Sequence, residues 1–469
     1  MSTLAEQLGQ FATQLDHDHL PEAVCRSVRQ RVLDTLGIMV AATTLETSAA
    51  VRAYAEAQGG RPEAHTVGGR TQLPAELAAL VNGTLAHSLD YDDTHLPSVL
   101  HPSASVIPAA LAVAEATASS GRELIAAIAV GLETCVRIGM AGYDARACNN
   151  VYFDRGQHAT SICGTIGAAV SAAVLSGLDA DGVTNAIAVA VSMAGGVIEA
   201  NRTGGTVKRI HCGWAAHAGI SAARLVAHGI SGPATALEGR FGFFRAFLGG
   251  EYSHEAFSGL GEHWEVPGIF FKPYPANHFT HAGIDAALAL RAQGVSLDQI
   301  ETLTLGVAEP TVRTIGEPIE LKRAPASGYQ AQFSGPYTVI AALCGGGGLG
   351  LGLEDFTDAL ATDAERRRQM AKVSVIGHPE CSRIFPNQFP AVLSARLHDG
   401  QELIQAVMDN RGGPHRPLSD DELQVKFTDN AARRLDRNAI AHVRELVLAL
   451  DRQDTVAPLL ETTSDLQEE

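Results

Sequence analysis

Apolar positions recur at three- and four-residue intervals through the first half of the chain, and that spacing predicts helix after helix. In PEAVCRSVRQRVLDTLGIMV, opened by Pro21, the residues Val24, Val28, Val32, Leu36 and Met39 share one face. Further helices are predicted over LPAELAALVNGTLAHSL, SASVIPAALAVAEATASSG, GRELIAAIAVGLETCVRIG, DGVTNAIAVAVSMAGGVIEA and CGWAAHAGISAARLVAHGI. Gly, Asp, Ser and Pro punctuate them. Residues 159–178, ATSICGTIGAAVSAAVLSGL, carry no charge and are long enough to span a bilayer. They are rich in Ala, Gly, Ser and Thr rather than large aliphatics, which predicts a helix buried all round in a close-packed core.

The texture changes near residue 267, at VPGIFFKPYPANHF. One more helix is predicted over about 279–293, followed by β-branched alternation in ETLTLGV, AKVSVIG and AVLSARLHDGQELIQAV. The last reads as a hairpin turning at Asp399-Gly400. In RGGPHRPLSDDELQVKF a Gly/Pro break precedes a capping box, Ser419 with Glu422, that opens a terminal helical segment. The expected fold is mainly α. A large all-helical domain over 1–266, completed by 413–469, carries a smaller α+β lid domain over 267–412. A length of 469 residues agrees with more than one domain.

Composition narrows the function classes. With 46% apolar and 19% charged residues the chain suits a packed globular protein. A net charge of −17 speaks against a nucleic-acid partner, since no basic surface would neutralise a row of phosphates. It leaves room for a small anion in a local pocket. The 7 cysteines are scattered without a CxxC pair, so neither a zinc knuckle nor a disulfide framework is expected. The N-terminal stretch has acids but no basic segment ahead of an apolar one, so cytoplasmic residence and no membrane partner are expected.

Chemistry-bearing residues cluster in polar islands. HSLDYDDTHLPSVLHPSAS, residues 87–105, crowds Asp90, Asp92, Asp93, His87, His95 and His101 together. Its spacing lacks the glycine and final glutamate of a calcium loop, and no HExxH or HxxxE pattern supports a transition metal. Asp92, Asp93 and His95 are read either as supports of a site or as a solvated helix-end loop. In GGTVKRIHCGWAAHAG, glycines before Lys208-Arg209 and an apolar helix make either an anion seat or an ordinary cationic loop. DRGQHATSICGT sets His158 at the mouth of a small-residue helix, and FFKPYPANHFTH sets Lys272 where the two domains meet. GGGGLG at 345–350 fits GxGxxG but follows a helical pattern rather than a strand, so no nucleotide cofactor is inferred.

Together HSLDYDDTH…HPSAS, RGQHATSICGTIGAA, GGTVKRIHCGWAA, FKPYPANHFTHAGIDAA and GYQAQFSGPYTVIAAL resemble the MmgE/PrpD family, over about residues 5–450. That family includes 2-methylcitrate dehydratase, cis-aconitate decarboxylase and iminodisuccinate epimerase. The resemblance implies a helical domain completed by both chain ends, a mixed lid, a homodimer, and a site between domains that needs neither metal nor organic cofactor. Carried over by motif, the site residues are Asp90, Thr94, His101, His158, Lys208 and Lys272. The first motif carries Tyr91-Asp92 and HLPSVLHPSAS where bacterial 2-methylcitrate dehydratases carry DFNDTW and WGHPSDN. After KPYPA stands Asn277-His278, where the decarboxylase places a histidine directly.

The activities of the family share one hard step, making or quenching carbanion character next to a carboxylate. Cations must stabilise the developing enediolate, a role for Lys208 and Lys272. His101 and His158 would move protons, with Asp90 as base or as the group that orients a histidine. Thr94 would hydrogen-bond a substrate oxygen. The expected function is a cofactor-independent lyase, first a hydro-lyase on a small di- or tricarboxylate, alternatively an epimerase or decarboxylase on the same scaffold. A non-catalytic helical binding protein is the other class. In the catalytic reading Asp90, His101, His158 and Lys208 act on the reacting atoms, with Thr94 and Lys272 binding substrate.

Overall fold

A computed structural model describes residues 2–144, 146, 149–200 and 205–466. Gly204, the first glycine of the GGTVKRIH motif, and Cys148 lie outside the described residues. Two compact units emerge, Met1–Ile269 with Asn430–Glu469, and Phe270–Asp429. Each is described by itself.

The first unit is helical. Glu22–Ala42 buries Val24, Val28, Val32, Leu36 and Met39, the face its spacing predicts. Ala75–His87, Ser103–Ala116, Gly121–Ala141, Ala159–Leu175 and Val207–Ala227 build the core. Ala159–Leu175 is buried at every residue but Val174, as its small-residue content predicts. Gly121–Ala141 is long and apolar enough to cross a membrane by length and composition, and 94% of its most apolar window is buried inside the unit.

Small residues set how closely these helices approach. A Cβ on Gly83 would stand 2.7 Å from the Gly213 Cα, so Ala75–His87 and Val207–Ala227 touch backbone to backbone. One on Gly219 would meet the Ala168 Cβ at 2.6 Å, bringing Val207–Ala227 equally near Ala159–Leu175. Larger side chains would hold these axes apart by an ångström or more, the dense packing expected of an Ala-rich interior. The C-terminal segment completes the unit. Gly68 N–H donates to the Thr463 carbonyl at 2.9 Å, and Gly121 N–H to that of Gln453 at 2.9 Å.

Two helix boundaries differ from the sequence reading. The helix expected over DGVTNAIAVAVSMAGGVIEA ends at Ala190. Beyond it the chain turns through Gly195-Gly196, with Gly196 at φ 147°, a conformation that side chains disfavour. The helix expected from Cys212 begins earlier, at Val207, so Lys208 and His211 lie in its first turns rather than in a loop before it.

The second unit holds a four-stranded sheet in the order Val373–Gly377, Ile300–Val307, Ala391–Leu397, Glu402–Val407. The first pair is parallel and the others antiparallel. The hairpin turns where expected: Gly400, at φ 88°, donates to the Leu397 carbonyl at 3.0 Å. His281–Ala292 and Gly335–Cys344 contribute to the core that covers the sheet, with Ile284, Leu290, Leu303, Leu305, Val339 and Leu393 buried together. The glycine run 345–350 leaves the end of Gly335–Cys344, which has no strand before it. The capping box forms, with Ser419 N–H donating to Glu422 at 2.7 Å and Glu422 N–H to Ser419 at 3.2 Å. The mainly helical expectation thus holds, with the four-stranded sheet in the smaller unit; the larger unit is not all-helical, since Ala64–Thr66 pairs with Gly69–Leu73 and Tyr143–Asp144 with Asn149–Asn150.

Candidate active site

The approach of Gly83 to Gly213 decides what meets at the helix ends. His87 lies one turn past Gly83, on the same face and at the last position of Ala75–His87. Lys208 and His211 lie three apart in the first turns of Val207–Ala227. His158 occupies the N-cap position of Ala159–Leu175 and donates its backbone N–H to the Gly196 carbonyl at 3.0 Å. The Ser161 hydroxyl lies 2.6 Å from the Gly195 carbonyl and 3.1 Å from that of His211, so it ties the Gly-Gly turn to both helix starts.

Four imidazoles converge there. Ring centroids stand 5.5 Å apart for His87 and His158, 5.7 Å for His87 and His101, and 4.8 Å for His158 and His211. The Nδ1 atoms of His158 and His211 are 3.0 Å apart. A hydrogen bond between two ring nitrogens requires one N–H and one lone pair, so the two neutral rings take opposite tautomers. His101 Nδ1 lies 2.6 Å from the Asp93 carbonyl, which only accepts, so Nδ1 carries the proton and Nε2 is left for chemistry. Thr94 Oγ1 stands 3.3 Å from the same nitrogen.

The loop 88–102 that carries the acids is a built structure. His95 and Leu100 exchange backbone hydrogen bonds at 2.8 and 3.3 Å. Asp90 and Val99 adopt left-handed backbone at φ 52° and 57°, an uncommon state for a β-branched valine. Asp93 accepts from Arg31 at 2.9 Å, with both side chains almost wholly buried, and from the Ser103 N–H at 3.2 Å. Asp92 Oδ2 lies 2.6 Å from His87 Nδ1. His95 lies 2.8 Å from Ser98 and 3.3 Å from Glu265. Of the two readings of Asp92, Asp93 and His95, the solvated loop is set aside and support remains, because all of them are buried. A buried carboxylate needs a cation or several donors, and Arg31, Ser103 and His87 supply these.

The sequence-derived residues of the first unit come together. Lys208 Nζ stands 3.9 Å from Asp90 Oδ2, and Thr94 and His101 share the loop while His158 faces His87 and His211. His101 and Lys208 are partly exposed, whereas His87, Asp90, Thr94, His158 and His211 are buried. Lys272 belongs to the second unit, where it is buried. Sequence reasoning missed His87 and His211. The available signal was Gly83 one turn before His87, and Gly213 two residues after His211.

Electrostatics sort the imidazoles. Burial, then the nearby His87, His211, Lys208 and His101, hold His158 well below its ordinary 6.5. Burial, with His87 and Lys208, lowers His211 to about 4. At His87 burial also acts against the charged ring, but the Cys212 sulfur and the Asp92 carboxylate outweigh it and raise the ring to about 10. A raised His87 therefore sits beside lowered His158 and His211. Titratable groups pushed apart in this way are a mark of acid–base sites. Among the described residues no group of three or more His, Cys, Asp or Glu is arranged to hold a metal ion.

The MmgE/PrpD N-terminal domain model matches residues 6–255, and the MmgE/PrpD C-terminal domain model matches residues 274–452. Curated relatives cover nearly the whole chain. Cis-aconitate decarboxylase from Mus musculus is 30% identical over 467 residues, spanning 96% of this chain and 91% of its own length. Its counterpart from Homo sapiens is 30% identical, with 92% and 89% covered. Cis-aconitate decarboxylase from Aspergillus terreus is 25% identical, with 98% and 96% covered. These names favour an enzyme over the non-catalytic alternative. They also favour the decarboxylase alternative over the hydro-lyase expectation.

Proposed function

This chain belongs to the MmgE/PrpD family, and from that premise we propose that it is a cofactor-independent decarboxylase of a small unsaturated tricarboxylate, cis-aconitate first. The observation that carries this reading is the grouping of His101, His158, Lys208 and Asp90 in a chain similar, end to end, to decarboxylases of that substrate.

The chemistry asks for what these residues offer. In cis-aconitate the CH2–COO− carbon is attached to an alkene carbon, so its carboxylate is β,γ-unsaturated. When that C–C bond breaks, its electron pair forms a new CH2=C bond. The old alkene pair moves to the carbon beside another carboxylate, giving an enediolate. One proton on that carbon completes the product, and carbon dioxide leaves. Lys208, 3.9 Å from Asp90, faces the enediolate oxygens with fixed positive charge, the largest kind of stabilisation for such a state. Thr94 fixes a carboxylate oxygen. His101, with its Nδ1–H committed to the Asp93 carbonyl, takes up a proton from solvent at the Nε2 lone pair and passes that proton to the carbon. His158, neutral at working pH, relays a proton to or from the reacting carbon. Lys272 is the remaining cation of the reading.

The test is a panel of cis-aconitate, citrate and 2-methylcitrate, followed for carbon dioxide and for water gain or loss, with Lys208→Ala, His158→Gln and Lys272→Ala alongside. Carbon dioxide from cis-aconitate, lost in the variants, is the expected result. Dehydration of 2-methylcitrate without carbon dioxide would return the hydro-lyase reading.

A further inference from the structure

Lys272 is the cation that the second unit contributes to the proposed chemistry. Residues 271–276 around it lie in neither helix nor strand, yet Lys272 and Tyr274 are almost wholly buried. Pro273 and Pro275 have no N–H to give, so a sheet ladder cannot hold this stretch. The loop 411–416, RGGPHR, meets it instead. Phe271 N–H donates to the Gly412 carbonyl at 3.0 Å. Gly412 has φ 97°, and a Cβ there would stand 2.0 Å from the Phe271 carbonyl oxygen. A Cβ on Gly413 would stand 1.9 Å from the Phe270 ring, so only glycine lets the two segments lie this close.

On the other side of Lys272, the Tyr274 hydroxyl donates to Asp285 Oδ1 at 2.6 Å and accepts from Arg411 at 3.0 Å. Arg416 donates to the second Asp285 oxygen at 2.7 Å, and Asp285 is rooted in the helix His281–Ala292. The loop also closes on itself. Gly412 N–H donates to the Arg416 carbonyl at 2.8 Å, and Arg416 N–H to that of Gly413 at 3.1 Å. Arg411 further reaches the Leu349 carbonyl at 3.2 Å and the Glu422 carboxylate. One loop therefore grips the chain at Phe271 before Lys272 and at Tyr274 after it. A lysine ammonium rides on a flexible four-carbon stem, so the place of its backbone decides where the charge can reach. We propose that residues 411–416 form a clamp that fixes Lys272, with Arg411 and Tyr274 as positioning residues for the ammonium that binds a substrate carboxylate.

The kinetic arm of the test rests on the decarboxylase reading, whereas the spectroscopic arm does not. The lysines of the chain are Lys208, Lys272, Lys322, Lys372 and Lys426, so carbon-13 labelling at lysine gives few signals, and Lys272→Ala identifies one of them. In Tyr274→Phe, which leaves Asp285 its bond from Arg416, and in Arg411→Met, the Lys272 signal should move. That of Lys372, bound to the Leu297 and Ile300 carbonyls, should stay. KM for cis-aconitate should rise about tenfold in each variant, the low end for loss of one hydrogen bond to a charged group, with kcat changed less than about threefold. In a Lys272→Ala background, Tyr274→Phe should move KM by less than about twofold, as residues acting through one another do. An unmoved Lys272 signal in Tyr274→Phe overturns the proposal, and so does an equal KM effect with and without Lys272. A Tyr274→Phe protein that fails to fold overturns it too, since the hydroxyl would then serve the core rather than Lys272. A moved signal with no carbon dioxide from any substrate would leave the clamp standing and refute the decarboxylase reading.

Discussion

Gly213→Ala is the sharpest test of how the fold positions the cluster. A methyl at this position would stand 2.1 Å from the Leu80 carbonyl oxygen, 2.4 Å from Thr84 Oγ1 and 2.9 Å from Thr84 N. Two of these atoms are backbone of Ala75–His87, and Cβ contacts under 3.0 Å essentially do not occur, so the helix itself must retreat by about 1 Å. Alanine's better helix propensity would alone add about 1 kcal/mol of stability. Overpacking a core of this kind costs about 1–3 kcal/mol and sometimes more. With a rigid backbone neighbour the cost falls at the upper end, so the net loss is about 1–2 kcal/mol, a drop of a few degrees in apparent Tm. Activity should suffer more. His87 rides on the displaced helix and His211 on the other, and a misplacement of about 1 Å costs on the order of 10²-fold in rate. The assay is Tm by circular dichroism beside kcat/KM on cis-aconitate. Gly347→Ala serves as control, because a methyl there meets no heavy atom within 4 Å. Wild-type Tm and wild-type kcat/KM in Gly213→Ala would refute the argument that this crossing sets the site.

Lys208→Ala should lower kcat/KM by about 10²–10³-fold, as loss of one preorganised donor does, measured beside its Tm to separate loss of chemistry from loss of fold. Arg31→Met strands the buried Asp93 carboxylate and should cost about 3–5 kcal/mol; thermal melts should show part of it recovered when Asp93→Asn is added. The protein should also lose stability in acid. An unfolded His211 takes its proton near 6.5 and the folded one near 4, so its contribution is present above pH 6.5 and lost as pH falls toward 4. Tm followed from pH 7.5 to 4.5 should fall, and less steeply in His211→Gln.

Much of the fold was legible in hydrophobic spacing. The face of Glu22–Ala42, the buried Ala159–Leu175 and the hairpin at Gly400 follow from periods of 3.6 and 2 that tertiary contacts did not override. The end at Ala190 was not legible, because apolar residues continue past it, and the bond from the His158 N–H that holds the Gly195-Gly196 turn beyond it is a tertiary contact. At the site, Asp90, Thr94, His101, His158 and Lys208 were legible as motif members. His87 and His211 were not, because their role depends on a helix crossing that Gly83 and Gly213 permit, and a glycine in a helix does not say which helix it will meet. Whether Asp92 and Asp93 support the site or face solvent was not decided in the sequence, because acids in a Pro- and Ser-containing loop are usually solvated. Their partners, His87 and Arg31, come from the preceding helix and from Glu22–Ala42.

The central claim is carbon–carbon cleavage with protonation at a neighbouring carbon, and one reaction measures both. The protein, freed of metal by EDTA, is incubated with cis-aconitate in deuterium oxide while carbon dioxide is trapped and the product is read by proton NMR. Equimolar carbon dioxide and a five-carbon methylene diacid bearing a single new C–D bond are predicted. Deuterium uptake or hydration of the six-carbon acid without carbon dioxide would contradict the account.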